Sequence, residues 1–348
     1  MHMFIGILLI TVAVFALIGV AFINQASFGK LPQGKRLERI RQSPHYKDGV
    51  FQNLHETVMM TSDKSRFRSI LDFLFRKVEG LRPEKEIPVI KTNLRGISNS
   101  KDVLVWFGHS SYLIQIDGKR ILVDPVFCMA SPVSFVNKPF PATYAYRPND
   151  MPDIDYLIIT HDHWDHLDYQ TIMQLKDRIG KIICPLGVGE HFEYWGFEED
   201  QLIELDWYEN STSGNEAGLS IHCLPARHFS GRGLTANQTL WASFLIETSS
   251  KRIFIGGDGG YDTHFKEIGN RYPGIDLAIL ENGQYNEDWK YIHTMPSELS
   301  QVAKDLKARK ILTVHHSKFA LAKHRWDDHE CTKNDRDGFA KCSQPCDW

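Results

Sequence analysis

Residues 160–168 read THDHWDHLD. They follow an apolar run, IDYLIIT (154–160), and precede a helical pattern, DYQTIMQLKDRIG (168–180). The nine residues therefore occupy a strand-to-helix loop, where α/β proteins commonly carry their sites. Within six of them stand His161, His163, Asp165 and His166. Alternate spacing points His161 and His163 the same way, while Asp165 and His166 at the turn face a neighbouring point. That geometry suits two metal ions rather than one. Packing alone does not account for three imidazoles and a carboxylate, because each buried polar head needs a partner.

Working outward, other ligand-type residues also lie just after apolar strands. His228 follows IHCLPAR (221–227), Asp258 follows IFIGG (253–257) and His315 follows ILTV (311–314). One histidine at a strand end is ordinary, but four strand-end loops with nitrogen or oxygen donors form a collective metal signature of zinc type. The surrounding texture is consistent with it. DVLVWFG, SYLIQIDG and KRILVDPVF (102–127) are short β-branched runs divided by Gly, Asp and Lys, the pattern of hairpins. Strands and helices then alternate through KIICPLG, GLSIHCLPA, ASFLIETSS, RIFIGGDGG, DLAILENG, a helix near Pro296 to Leu306, and KILTVHH. The expectation is an α/β layered fold with helices covering sheets.

Taken in order, HDHWDH (161–166), LPARHF (224–229), GGDGGY (256–261) and VHHSKF (314–319) resemble the metallo-β-lactamase superfamily, from about Val103 to about Trp326. GHSSYLIQIDG, ILVDPVF, LPARHFSGRG, GDGGYDTHF and HSKFALA look like the branch of N-acyl-phosphatidylethanolamine-hydrolysing phospholipase D and its bacterial relatives. FGKLPQGKRLERIRQSPHYKDGVFQN (28–53) resembles the N-terminal region of those relatives. The resemblance implies a four-layer αββα sandwich and two zinc ions per chain. His161, His163 and His228 would hold one ion, and Asp165, His166 and His315 the other, with Asp258 between them. His316 is passed over as a ligand. Asp165 would also handle a proton, and His293 would stand near the substrate, these two forming the catalytic pair. His109 and Asp124 match motifs that brace the site, and His264 is as well explained by a structural role. The implied activity is hydrolysis of phospholipase D type on N-acyl-phosphatidylethanolamine-like lipids by a metal-activated water. The alternatives are a lactonase of the ascorbate-6-phosphate lactonase-like branch and a non-catalytic metal-dependent binding module.

The chain has 348 residues and a net charge of −3, which leaves no basic footprint for nucleic acid. Its six cysteines include no C-x-x-C pair, which excludes a thiolate zinc cluster. Residues 4–23 are apolar and uncharged, and about 20 residues at 1.5 Å each match a bilayer core. A cleaved signal peptide is the rival reading, but no Lys or Arg precedes the run. The reading is a single-pass anchor (1–29), with Lys30, Lys35, Arg36, Arg39, Arg41 and Lys47 placing the catalytic part in the cytoplasm. Residues 30–100 form an extension that includes the helical-looking SRFRSILDFLFRKVEG (65–80), residues 101–328 the catalytic domain, and 329–348 an atypical polar tail without helical or strand period. For that tail the expectation is a shifted reading frame. Nothing in the sequence sets an oligomeric state.

Overall fold

The computed structural model describes residues 2–62, 78–133, 135–143, 145–212 and 218–328. The tail and most of the 65–80 stretch lie outside the described residues. Two six-stranded sheets form the body. The first runs in the order β3 (Val103–Trp106), β4 (Tyr112–Ile116), β5 (Lys119–Val123), β6 (Ile154–Ile158), β7 (Ile179–Pro185), β8 (Leu202–Leu205). The second runs β14 (Lys310–Val314), β13 (Leu277–Glu281), β12 (Arg252–Ile255), β11 (Ser243–Thr248), β10 (Leu219–Leu224), β9 (Asn210–Thr212). Each sheet is antiparallel in one half and parallel in the other: β5 to β8 and β12 to β14 are parallel. The antiparallel half of the first sheet is the hairpin pair that the turn residues announced. The parallel halves need crossovers, and helices provide them from β6 to β7, β7 to β8, β12 to β13 and β13 to β14, while a long segment with a short 3-10 turn joins β5 to β6.

Neighbouring apolar residues on one strand serve different layers, because successive side chains point to opposite faces. Ile114, Val123, Ile158 and Ile183 pack inward against Phe244, Ile246, Ile255 and Ile279 of the other sheet. Leu113, Leu122, Leu157 and Ile182 face outward, under α3 (Tyr169–Leu175) and α4 (Gly189–Tyr194), with Ile172, Leu175 and Phe192. The second sheet repeats this with Leu245, Phe254 and Ala278 beneath α5 (His264–Arg271) and α6 (Leu299–Leu306). Helix–sheet–sheet–helix is thus the four-layer sandwich expected. Strands buried on both faces also explain why these runs read as nearly continuous apolar stretches. The last helix begins at Leu299, three residues beyond the expected Pro296.

Ahead of the sandwich lie α1 (His2–Ile23), α2 (Gly34–Gln42) and the hairpin of β1 (Tyr46–Lys47) and β2 (Val50–Phe51). Helix α1 is 22 residues long and has no buried residue. The segment beyond α1 is built into the body, since Ile40 and Phe51 are fully buried members of the inter-sheet core. Arg36, with a side chain only 12% exposed, pairs with Glu204 at 2.6 Å and with Glu190 and Glu193 at 2.8 Å. Part of the basic stretch after the helix is therefore neutralised inside the protein.

Candidate metal centre

The ligand-type residues gather along one rim of the sandwich, at the C-terminal ends of β6, β10, β12 and β14, with Asp124 just past β5 and His109 just past β3. His109, Asp124 and His315 have φ of +54°, +40° and +69°. A left-handed backbone in a residue other than glycine costs on the order of 1–3 kcal/mol and is retained where the surrounding structure imposes it. At these strand ends it turns the chain sharply, so the side chain or carbonyl faces the rim.

The loop after β6 is held by its own polar groups. Asp168 caps α3 by accepting from Gln170 N at 3.1 Å, and its other oxygen accepts from Cys128 N at 2.8 Å. His161 Nε2 lies 2.9 Å from His163 Nδ1, which lies 3.3 Å from His228 Nε2. His166 Nε2 lies 3.7 Å from Asp165 Oδ2 and 3.3 Å from Asp258 Oδ2. His315 stands 3.8 Å from Asp165 through Nε2, and 2.5 Å from Asp258 Oδ1 through Nδ1. All seven residues named from the sequence thus come together. His161, His163 and His228 form one group, and Asp165, His166, His315 and His109 another; in each, the donor atoms lie within 4.8 Å of one another. Asp258 belongs to a group with His161 and His166, and so stands between the two. His316 turns away, with Nε2 3.2 Å from the Thr313 carbonyl.

These residues suit cations. Burial pulls His161 and His228 well below the ordinary histidine range, which favours the neutral ring. A neutral imidazole is the metal-binding form. Against the upward push of burial, His166 and His109 hold the Asp165 carboxyl low; His166 and His315 do the same for Asp258. Facing lone pairs repel without a cation or proton between them, and His166 Nε2 is buried without a hydrogen-bond partner. Histidine and carboxylate together fit zinc and other first-row divalent ions.

Outside this set, Asp124 Oδ2 accepts from His166 Nδ1 at 2.8 Å, and His109 Nε2 meets Asp165 Oδ2 at 2.9 Å. Burial lowers His109 to about 3. His293 is engaged through Nδ1, 2.6 Å from Glu281 Oε2 and 3.9 Å from Asp258 Oδ2. Burial alone would lower His293, but Glu281, with Asp258 and Asp165 beyond it, outweighs burial and raises the ring to about 9. Glu281 itself is buried, its Oε1 accepting from Gly259 N at 2.7 Å and Thr294 N at 3.1 Å. The sequence reading missed Glu281, although the strand-end rule that found the other residues applies to it, since it closes the apolar run LAILE of β13. His264 packs on Phe265 with ring centres 4.1 Å apart and belongs to none of these groups.

Comparison with known proteins agrees with this geometry. Residues 119–316 match the model of the beta-lactamase superfamily domain. An uncharacterised protein of Mycobacterium tuberculosis is 37% identical over 294 residues, covering 82% of this chain and 78% of that protein. A Caenorhabditis elegans protein named N-acyl-phosphatidylethanolamine-hydrolyzing phospholipase D 1 is 33% identical over 223 residues, 60% of this chain and 62% of that one. A metal-dependent hydrolase of Pyrobaculum aerophilum is 28% identical over 227 residues, 64% of this chain and 88% of the relative. With its four-layer sandwich and a rim of converging histidines and carboxylates, the chain belongs to the metallo-β-lactamase superfamily and is a metal-dependent hydrolase within it.

Proposed function

We propose that this chain is a membrane-anchored phosphodiesterase of phospholipase D type, acting on N-acyl-phosphatidylethanolamine-like lipids with two zinc ions. The observation that carries the lipid assignment is the position of α1. By length and composition this helix can cross a bilayer. Only five residues past its end, Phe28 packs edge-to-face on Trp164 of the metal loop, with ring centroids 5.0 Å apart. A lipid substrate gives that proximity a use, because the helix would then hold the site beside the bilayer. The relative named a phospholipase D supports the same reading. The basic residues after the helix favour a cytoplasmic catalytic domain.

His161, His163 and His228 would hold one zinc ion and Asp165, His166 and His315 the other, with Asp258 reaching both. When bound, the ions supply Lewis-acid charge for the phosphoryl oxygens and acidify a water toward neutral pH. The chain's own residues do the rest. Asp165, kept ionised and fixed by His109, accepts the proton of the attacking water. His293, oriented by Glu281, would give a proton to the leaving oxygen. The water oxygen bonds to phosphorus as the bond from phosphorus to the head-group oxygen breaks. Phosphatidic acid and the head-group alcohol are released.

The test is a panel of an N-acyl-phospholipid, a simple phosphodiester and a lactone, incubated with the zinc-loaded protein in detergent micelles. Release of phosphatidic acid is the expected result. Turnover of the lactone alone would reassign the chain to a lactonase, and silence across the panel with two zinc ions bound would make it a binding module.

A further inference from the structure

Two independent contacts tie the segment after α1 to the metal loop. The first runs through Asp162, the residue between His161 and His163. Asp162 is 2% exposed, and its carboxylate accepts from Gly231 N at 2.7 Å and Thr239 Oγ1 at 2.9 Å. Its Oδ2 lies 3.1 Å from Nε2 of His191, which is itself 1% exposed. The Nδ1 of His191 accepts the backbone N–H of Lys30 at 3.0 Å. A ring nitrogen that accepts from an amide carries no proton, so the His191 proton sits on Nε2 and faces Asp162. The Lys30 amide thus sets the tautomer of a histidine that holds the loop between two ligands.

The second contact runs through Arg232, which is 5% exposed. Its Nη1 donates to the carbonyls of Asp162 at 2.8 Å and Leu167 at 2.7 Å, the flanks of the ligand-bearing turn. Its Nη2 donates to the Ser27 carbonyl at 2.7 Å. The guanidinium lies 4.2 Å over the Trp164 ring. Trp195 Nε1 adds a bond to the Ala26 carbonyl at 2.8 Å. Gly29 completes the fit. It has φ +71°, and a Cβ there would lie 2.1 Å from His191 Nδ1, so only glycine lets the strap lie on this ring.

We propose that residues 26–30, which leave the apolar helix, are an outer support of the metal centre, with Arg232 and His191 as positioning residues that carry strap order to the ligand loop. A buried arginine that merely fastens chain to chain would lower overall stability without touching metal affinity. A support that orients ligands sets affinity directly, and loss of such partners typically weakens metal binding 10–100-fold. The proposal rests on metal dependence and not on any substrate, so it stands or falls separately from the lipid assignment.

The experiment is chelator competition for zinc on full-length protein in detergent, alongside thermal melting of the metal-free form. Arg232→Gln and Gly29→Ala are expected to raise the zinc dissociation constant about 10–100-fold. Ser27→Ala and Lys30→Ala keep the backbone carbonyl and amide in use and stay within about twofold of wild type, against the 10–100-fold expected of a lost partner. Arg232→Lys keeps the charge but cannot span both loop carbonyls and the strap. It weakens zinc binding too, and it serves where Arg232→Gln does not fold. Wild-type zinc affinity in the folded variants, even with a lowered melting temperature, would overturn the proposal. Wild-type protein that takes up no divalent metal would remove the metal assignment along with it.

Discussion

Asp124→Asn isolates one oxygen's worth of chemistry at the rim. Asp124 is 1% exposed and has φ +40°, a conformation asparagine tolerates well, so the backbone has no reason to move. Its Oδ1 accepts from Thr160 N at 2.9 Å, and its Oδ2 accepts from Thr160 Oγ1 at 2.7 Å and His166 Nδ1 at 2.8 Å. An amide replaces one of those acceptors with a donor. If the nitrogen takes the Oδ1 place, it faces the Thr160 N–H and both donors are stranded. If it takes the Oδ2 place, His166 must accept on Nδ1, which moves the ring proton to Nε2, the nitrogen directed at Asp165 and Asp258. Either outcome forfeits a charge-assisted hydrogen bond of about 1.5–3 kcal/mol. At 1.4 kcal/mol per decade, affinity for the ion held by Asp165, His166 and His315 falls about 10–100-fold. Zinc held by His161, His163 and His228 is spared. Chelator competition with metal counting by mass spectrometry reads both ions, and circular dichroism of the metal-free variant confirms the fold. Two zinc equivalents bound at wild-type affinity would refute the role given to Asp124.

Three further outcomes are expected. Glu281→Gln deprives His293 of its anionic partner, and kcat on a phosphodiester falls by about 10-fold or more, in the range of general acid–base contributions, with zinc content unchanged in a metal assay. At Gly283 an added Cβ would lie 2.2 Å from the His315 carbonyl; Gly283→Ala therefore displaces a ligand strand end and lowers zinc stoichiometry as measured by mass spectrometry. Lys318 is 1% exposed, and burial depresses its amine to about 7. The unfolded chain thus binds a proton that the folded one lacks between about pH 7 and 10.5, so this group's contribution to unfolding free energy in urea titrations rises about 1.4 kcal/mol per pH unit across that window, and Lys318→Met removes the slope.

Much of this was legible because the fold places its chemistry at strand ends, and strand ends are visible as the point where an apolar run stops. His228, Asp258 and His315 were picked out by that rule, and they meet because β10, β12 and β14 run in the same direction and end on one rim. Glu281 obeys the same rule, yet it was passed over because a glutamate after an apolar run is commonplace and its partner His293 lies 12 residues on. Asp162 and His191 were beyond any local pattern. Their link depends on α4, which carries His191 29 residues past Asp162, and on a backbone amide 161 residues before His191. A backbone donor leaves no trace in side-chain spelling, and neither does the glycine that makes room for it until the ring beneath it is known. The helix start at Leu299 shows the reverse error, because Pro296 suits a first helical turn equally well and only the packing of Val302 and Leu306 decides the register.

The rim also shows how the two sheets and the site depend on each other. His109, Asp124 and His315 occupy left-handed conformations, and buried ring nitrogens face one another across a few ångströms. Both features oppose folding, so the rim on its own is destabilising and the apolar layers must hold it in place. Ile114, Val123, Ile255 and Ile279 do this from strands that end at or beside the rim, and they lie between 0% and 2% exposed in the inter-sheet core. A tightly packed core transmits small displacements rather than absorbing them, so strand ends fixed by two opposed sheets keep their spacing to a fraction of an ångström. The loop after β6 has less of this support, since it leaves the sheet for seven residues between Thr160 and Asp168. That loop carries four of the seven ligand candidates, and it is the one the strap grips from outside through Arg232 and His191. On the proposed support, packing would position the ligand candidates that end strands, while hydrogen bonds to the N-terminal strap would position those on the loop. The two sets should differ in sensitivity to N-terminal perturbation.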